Sequence, residues 1–426
     1  MPSISRPVAR PLYVYLQRPD NGEWVTVGRY QASTPGEGAF RYAPSYVDAG
    51  MTWSIDPVNL RFLPDLDIAA PRYRGLHDVL RDTCPDAWGQ ALLRREHNLP
   101  ANAPPLLYLR KASNLDRWGA LAVGASVKVP QSSLGNPPPP QLDHVVEELA
   151  AIAERRPAIR AKIRSRLIQT ASIGGVRPKS TVQDDKMQFW LVKPEIASDV
   201  ANIPLLEHVG QQWGAASGLD FASTVYHPAT GGRSAVRVLR FDRHRGRRLM
   251  CVSAASMLQA EYPDDLSQTD RWSYPRLAEE LRLVGAPVED RIELFGRMVF
   301  NAVCGNDDDH VRNHAIVYRG GEARWRLAPA FDVVPNPVET PTRLQMQLFL
   351  GRFDISRDAA LADAHRFGFS GRAEAASYLD SLLDRIEAGF AGTAHWLEPE
   401  WQQVLHDRLM YNVSVLKDLA GALKQR

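Results

Sequence analysis

Gly305-Asn306-Asp307-Asp308-Asp309-His310-Val311-Arg312-Asn313-His314 places three acids, two histidines and two asparagines in ten residues. Such groups stay hydrated unless ions or charged ligands satisfy them, so packing alone does not account for the run. Upstream, Ile292, Leu294, Phe295, Met298, Val299, Ala302 and Val303 recur at the spacing of a buried helical face. That spacing predicts a helix over 290–304, a rigid support that delivers the polar run. Downstream, the β-branched stretch Ala315-Ile316-Val317-Tyr318, the turn Arg319-Gly320-Gly321 and Trp325-Arg326-Leu327-Ala328 read as a hairpin. It leads to Phe331-Asp332-Val333, an acid hemmed in by apolar neighbours.

Helix, acidic loop, hairpin and a second acid follow the order in which protein kinases hold their metal. There a loop Asp orients the attacking hydroxyl, and an Asn after it and an Asp beyond the next hairpin bind magnesium. Of the three adjacent acids only Asp308 stands five residues before Asn313; Asp307 and Asp309 are out of phase. Two other readings compete with this one. An Asx-rich surface turn explains a polar cluster without chemistry. His310 and His314, at i and i+4, have the spacing of metal ligands in a hydrolase, but the Glu that completes a zinc-protease motif is missing.

The 426 residues give room for two or three domains, and 44% hydrophobic with 23% charged residues is an ordinary globular composition. Met1-Pro2-Ser3-Ile4-Ser5-Arg6 has no apolar core and no stretch reads as a membrane span, so a cytoplasmic protein without membrane contact is expected. Cys84, Cys251 and Cys304 are odd in number and far apart, which suits core thiols in a reducing compartment. A net charge of +2 is too near balance for the whole surface to bind nucleic acid. The local run from Arg240 to Arg248 still offers a phosphate or partner site.

Alternation over 12–62, broken by Pro, Asp, Asn and Gly, predicts a small antiparallel sheet, and 76–96 carries helical spacing. Four consecutive prolines, 137–140, stand in the segment 131–141, which reads as a linker or exposed loop. A helix is expected over 142–154. Strands and turns fill 165–250, with one helix near 203–217, and helices dominate beyond 253. The expected fold is α+β and two-lobed: an amino-terminal subdomain (1–130), the linker, a strand-rich lobe (142–250) and a helical lobe (251–426).

The strand-rich part opens with Ser172-Ile173-Gly174-Gly175-Val176-Arg177-Pro178-Lys179, where paired glycines let backbone approach phosphate oxygens and two cations stand ready. A Gly-Gly turn is common between strands, so the weight comes from the next element. Phe189-Trp190-Leu191-Val192-Lys193 is an apolar strand ending in a cation, the place where kinases grip the α- and β-phosphates. Glu207, on the helix after it, would fix the direction of Lys193, or is a solvated acid on an amphipathic helix. Leu239, Arg240 and Phe241 end a strand whose backbone would offer adenine a donor and an acceptor.

Together, Ser-Ile-Gly-Gly-Val-Arg-Pro-Lys at 172–179, Leu-Val-Lys at 191–193, Arg-Phe-Asp-Arg at 240–243, Gly-Asn-Asp-Asp-Asp-His-Val-Arg-Asn at 305–313 and Leu-Ala-Pro-Ala-Phe-Asp-Val at 327–333 resemble the HipA family of bacterial serine/threonine kinases, toxins of type II toxin–antitoxin systems. Pro85-Asp86-Ala87-Trp88-Gly89 extends the resemblance into the amino-terminal part. The resemblance implies Asp308 as the catalytic acid that takes the hydroxyl proton, and Asn313 and Asp332 as ligands of Mg2+. It implies an ATP site built from Gly174, Gly175, Val176, Arg177, Pro178, Lys179, Lys193, Leu239, Arg240, Phe241, His310, Arg312, Asn313, Phe331 and Asp332. Ser172 matches the serine that such kinases autophosphorylate, which adds nearly two charges beside the nucleotide site. Two positions depart from the family pattern: Arg312 stands where Lys is usual, and Leu239 occupies a hinge position that is acidic elsewhere.

The resemblance further implies growth arrest by phosphorylation of a translation component such as an aminoacyl-tRNA synthetase. It implies a helix-turn-helix antitoxin of HipB type as partner, with operator DNA contacted only through that complex. Two alternatives stay open: a catalytically weak partner acting in transcriptional repression, and a kinase of a small molecule or lipid head group.

Overall fold

The computed structural model describes residues 10–34, 36–130, 142–169, 175–229, 232–263 and 265–418. Ser172, Gly174 and the Pro-rich segment, all singled out in the sequence, lie outside the described residues.

The amino-terminal alternation folds into one antiparallel sheet in the order Ile68–Ala69, Glu37–Tyr42, Trp24–Thr34, Leu12–Gln17 and Leu121–Gly124. Val14 and Leu16 face the main core, together with Val27, Tyr30, Phe40 and Tyr42. Tyr15, on the opposite face, packs with Ala122. Extended alternation does not run to residue 62 as expected, because Pro44 starts the short helix Pro44–Asp48. The helix expected over 76–96 is two helices, Asp78–Asp82 and Ala87–His97, parted at Pro85, whose ring supplies no N–H.

A second, four-stranded antiparallel sheet runs Ser180–Gln183, Phe189–Pro194, Ala235–Leu239, Thr224–His227. The period of two decides what each strand residue does. Trp190 and Val192 pack beneath the helix Leu142–Ala153 through Val145, Val146 and Leu149. Leu191 and Lys193 therefore point to the other face, into the cleft between this sheet and the helical part. The expectation of strands from residue 165 is corrected by the helix Ala161–Gln169, whose Leu167 and Ile163 join the same core.

The polar run sits where the sequence placed it, after the helix Val288–Cys304. Leu294, Phe295, Met298, Val299, Ala302 and Val303 are all buried. Gly305 stops the helix in the left-handed region, at φ 74°, which a side chain would strain. The hairpin Ala315–Arg319 and Arg324–Leu327 forms, with Cys251–Ser253 as a third strand. Around it pack the helices Tyr274–Leu283, Arg372–Thr393 and Pro399–Leu416. One continuous core joins the first sheet to these helices, and Trp53 stacks on Tyr318 of the hairpin with ring centroids 4.3 Å apart. Among the described residues, no helix is long and apolar enough to cross a membrane.

Candidate active site

Two sets of hydrogen bonds fix the loop after Gly305. Beneath it, Asn306 Nδ2 donates to Asn301 Oδ1 (3.1 Å), Asn301 Nδ2 to Tyr274 Oη (2.8 Å), and Tyr274 Oη to Asp309 Oδ2 (2.9 Å). Asp309 also accepts the Gln345 N–H at 2.8 Å. Burial pushes its carboxyl up to about 7, against the pull of those donors. Asp309 is thus an internal post that anchors the loop. Asp307 accepts two hydrogen bonds from Asn336 Nδ2, at 3.1 and 3.0 Å, and ties the loop to the segment after Asp332. Asp308, between them, reaches solvent.

Asn313 Nδ2 donates to the backbone oxygen of Asp308 at 2.8 Å, so the five-residue register of the sequence is a direct contact. Asp308 Oδ1 accepts from Gln345 Nε2 at 3.2 Å. The cleft walls raise the Asp308 carboxyl by removing hydration, His310 opposes this, and the charges of Asp332 and Asp307 add to it. A raised carboxyl is a better proton acceptor than an ordinary Asp.

Asp332 follows the hairpin with φ 60°, a left-handed backbone that Asp tolerates better than most residues. Close approach makes this turn possible: a Cβ on Gly210 would lie 2.7 Å from the oxygen of Val333. Lys193 Nζ lies 2.6 Å from Glu207 Oε1 and 2.5 Å from Asp332 Oδ1. Burial works against the Lys193 charge, but the two carboxylates prevail and hold the ammonium above the ordinary lysine range. Burial likewise opposes the Asp332 charge, and Lys193 and Lys179 overcome it, so the carboxyl falls well below the usual range. Glu207 is buried between Leu206 and His208, which excludes its reading as a solvated surface acid.

Asp307, Asp308, Asn313, Asp332 and Lys193 line one cleft of about 500 Å³, together with Gly175, Val176, Arg177, Lys179, Leu191, Leu239, Phe241, His310, Arg312 and Phe331. Pro178 lies within the loop that borders it. Phe331 and Phe241 rings lie 5.1 Å apart and give the cleft an apolar end suited to a flat base. An open groove of about 860 Å³ beside Leu92, Ile152 and Ile168 holds none of these residues.

Several predicted residues are held differently from the sequence expectation. Arg177 points its guanidinium at Asp199, with both contacts at 2.6 Å, so the cation that turns inward from this loop is the buried Lys179. Arg240 is buried in a network with Asp116, Thr181 Oγ1 (2.8 Å) and both oxygens of Asp242. Arg243 joins it through Asp242, and Arg248 is buried against the oxygens of Asn114 and Leu115. Arg240, Arg243 and Arg248 of the basic run therefore hold the sheets together, which corrects their reading as a phosphate or partner site. At the expected hinge, the N–H groups of Leu239 and Arg240 are taken by Ser223 O (2.8 Å) and Phe189 O (2.9 Å). Neither is the donor for adenine.

Asn313 spends its Nδ2 on Asp308, which leaves Oδ1 as the atom it could offer a cation, and about a third of the Asp332 side chain meets solvent. One amide oxygen and one carboxylate suit a hard cation that keeps waters and phosphate oxygens in its shell, as Mg2+ does. Among the described residues no three His, Cys, Asp or Glu side chains form a metal group, so His310 and His314 have no third partner for zinc. His310 instead packs on Tyr262, ring centroids 4.5 Å apart.

Sequence reasoning missed Gln345, Asp82 and Tyr262. Gln345 stands in Leu344-Gln345-Met346-Gln347, which carries no signal of contact with a loop 36 residues away. Arg312 Nη1 reaches Asp82 Oδ1 at 3.2 Å and its Nε donates to Tyr262 O at 3.1 Å.

A family model described as the HipA-like C-terminal domain matches residues 171–390, more than half of the chain. The structure is similar to HipA of a Shewanella oneidensis MR-1 toxin–antitoxin system, solved with HipB and its operator DNA. Identity is 16% and the TM-score 0.69, covering 96% of this chain and 99% of that one. A partial likeness, with 13% identity and a TM-score of 0.41, links 58% of this chain to 95% of the Helicobacter pylori proinflammatory kinase CtkA. No curated protein matches. With a match over more than half its length and the same fold from end to end, the chain belongs to the HipA family.

Proposed function

We propose that this protein is an ATP-dependent serine/threonine kinase acting as the toxin of a HipBA-type system. One observation carries the reading: Asp308, Asn313, Asp332 and Lys193, the last held by Glu207, are drawn from separate segments onto one cleft, the set of groups that phosphoryl transfer uses. Asp308, open to solvent and raised above the usual carboxylate range, accepts the proton of the attacking hydroxyl. Gln345 Nε2 orients it. Lys193, aimed by Glu207, holds the α- and β-phosphates, and Lys179 adds a second cation. Asn313 and Asp332 would hold Mg2+, which supplies charge neutralisation to the transferred group when bound. The apolar end at Phe241 and Phe331 takes the base.

A helix-turn-helix antitoxin of HipB type is the partner this reading expects, because the similar Shewanella protein was solved with HipB and operator DNA. Ser172 is the expected site of autophosphorylation, and a translation component such as an aminoacyl-tRNA synthetase the expected target. Expression in a bacterial host tests the reading. Wild type should arrest growth and place phosphate on a host Ser or Thr, and Asp332→Ala should do neither. Arrest by Asp332→Ala as strong as by wild type would overturn it.

A further inference from the structure

The kinase reading leaves unexplained an acid outside the catalytic set. Asp86 occupies the N-cap position of the helix Ala87–His97, where an Asp side chain ordinarily accepts a hydrogen bond from the first helical turn. It makes no such bond. Its Oδ2 accepts the N–H of Gly175, 89 residues away, at 3.2 Å. The Trp88 N–H donates to the oxygen of the same Gly175 at 3.0 Å. Both polar groups of that glycine are thus caught by one turn of the amino-terminal subdomain. The same turn reaches the catalytic loop: Arg312 Nη1 is 3.2 Å from Asp82 Oδ1 and 3.9 Å from Asp86 Oδ1. Arg81 Nη1 holds Asp86 Oδ1 at 3.2 Å, and Asp82 is itself fixed by Ser253 and Ser256.

We propose that Asp86 is a positioning residue for the nucleotide: it locks Gly175 of the Gly-rich loop against the catalytic loop, with Arg312 as the strut between them. Giving up the helix cap costs about 1 kcal/mol, a cost that the fold recovers only if the carboxylate has other work. A carboxylate held by two arginines makes a charge-assisted bond to the Gly175 amide, about twice as strong as a neutral one. With Gly175 held, Val176 to Lys179 present their backbone and the Lys179 cation to phosphate at a fixed distance from Lys193. Arg312, which departs from the usual Lys, brings Nη1 to both carboxylates while its Nε donates to Tyr262 O, so the strut is held at two points where Lys supplies a single charge.

The inference rests on the kinase reading for its purpose but not for its test. Hydrogen exchange of peptides covering 175–183 in the full-length protein without nucleotide reads the lock directly, and calorimetric titration with MgATP reads its consequence. Asp86→Ala should speed exchange in those peptides alone and weaken MgATP binding roughly tenfold, the loss of one charge-assisted hydrogen bond. Asp86→Asn keeps the acceptor without the charge and should lose about threefold. Exchange in Arg372–Thr393 reports global folding. If Asp86→Ala speeds exchange there too, Asp86→Asn decides. Loop exchange and MgATP affinity equal to wild type in the decisive variant would overturn the lock. A wild type that binds MgATP but labels no protein would overturn the kinase reading and leave the lock standing.

Discussion

Replacing Lys193 by Met probes stability and chemistry at once. The lysine is 5% exposed and Glu207 is 2% exposed, so removing the ammonium leaves two carboxylates facing a site that water barely reaches. Breaking a buried ion pair by deleting one partner costs roughly 3–5 kcal/mol, and the solvent-exposed third of Asp332, with Lys179 nearby, places the cost near about 3 kcal/mol. An unfolding entropy of ~2 cal/mol/K per residue gives ~0.9 kcal/mol/K for this chain, hence a melting temperature lower by about 3–4 °C. Glu207, already raised by burial against the pull of Lys193, rises further. A carboxyl raised in the folded state destabilises once pH exceeds its unfolded value, so the deficit is larger at pH 8 than at pH 5. Lys193→Met with Glu207→Leu removes the fully buried pair and leaves the partly exposed Asp332 with Lys179 nearby, and apolar replacement of a buried pair is neutral or stabilising. The double variant should regain most of the lost melting temperature and stay inactive. Thermal unfolding from pH 5 to 8, beside phosphoryl-transfer assays, checks this. A single variant as stable as wild type at pH 8, or a double variant no more stable than the single, would refute the reasoning.

Asp309, raised to about 7 by burial, costs stability as pH climbs from its unfolded value near 4 through 7, so the stability of Asp309→Asn relative to wild type should rise by roughly 2–3 kcal/mol between pH 5 and pH 8, read by urea midpoints. Gln345→Leu frees the Asp308 carboxylate from its Nε2 donor and should lower kcat about fivefold to tenfold with KM for ATP unchanged; steady-state kinetics decide, and the reverse split would contradict the assigned role. Arg240→Lys keeps the charge but cannot span Asp116, Thr181 and Asp242, so chemical denaturation should show a loss of roughly 2–4 kcal/mol.

Much of this architecture is written in local pattern. The spacing from Ile292 to Val303 placed the buried helix, the β-branched stretch and Gly-Gly turn placed the hairpin, and the five-residue interval from Asp308 to Asn313 became a hydrogen bond. Lys193 was legible because strand period alone sends it to the face opposite Trp190 and Val192. Side-chain direction was harder to read where long-range partners decide it. Arg177 and Arg240 look available for phosphate in the sequence, yet Asp199, Asp116 and Asp242 claim them. No local signal announces such pairing, since the partners lie 22 and 124 residues away in the chain for Arg177 and for Arg240 with Asp116. The helix Ala161–Gln169 was missed because its cations interrupt the apolar face that would mark it.

In the proposed function Asp308 serves phosphoryl transfer in a cleft that takes ATP. Purified wild-type protein and Asp308→Ala, incubated with ATP labelled at the γ-phosphate and Mg2+, test it most directly. Wild type should incorporate label at Ser172, and Asp308→Ala should incorporate none while keeping its melting temperature. Equal labelling of Ser172 in the two proteins would contradict the account.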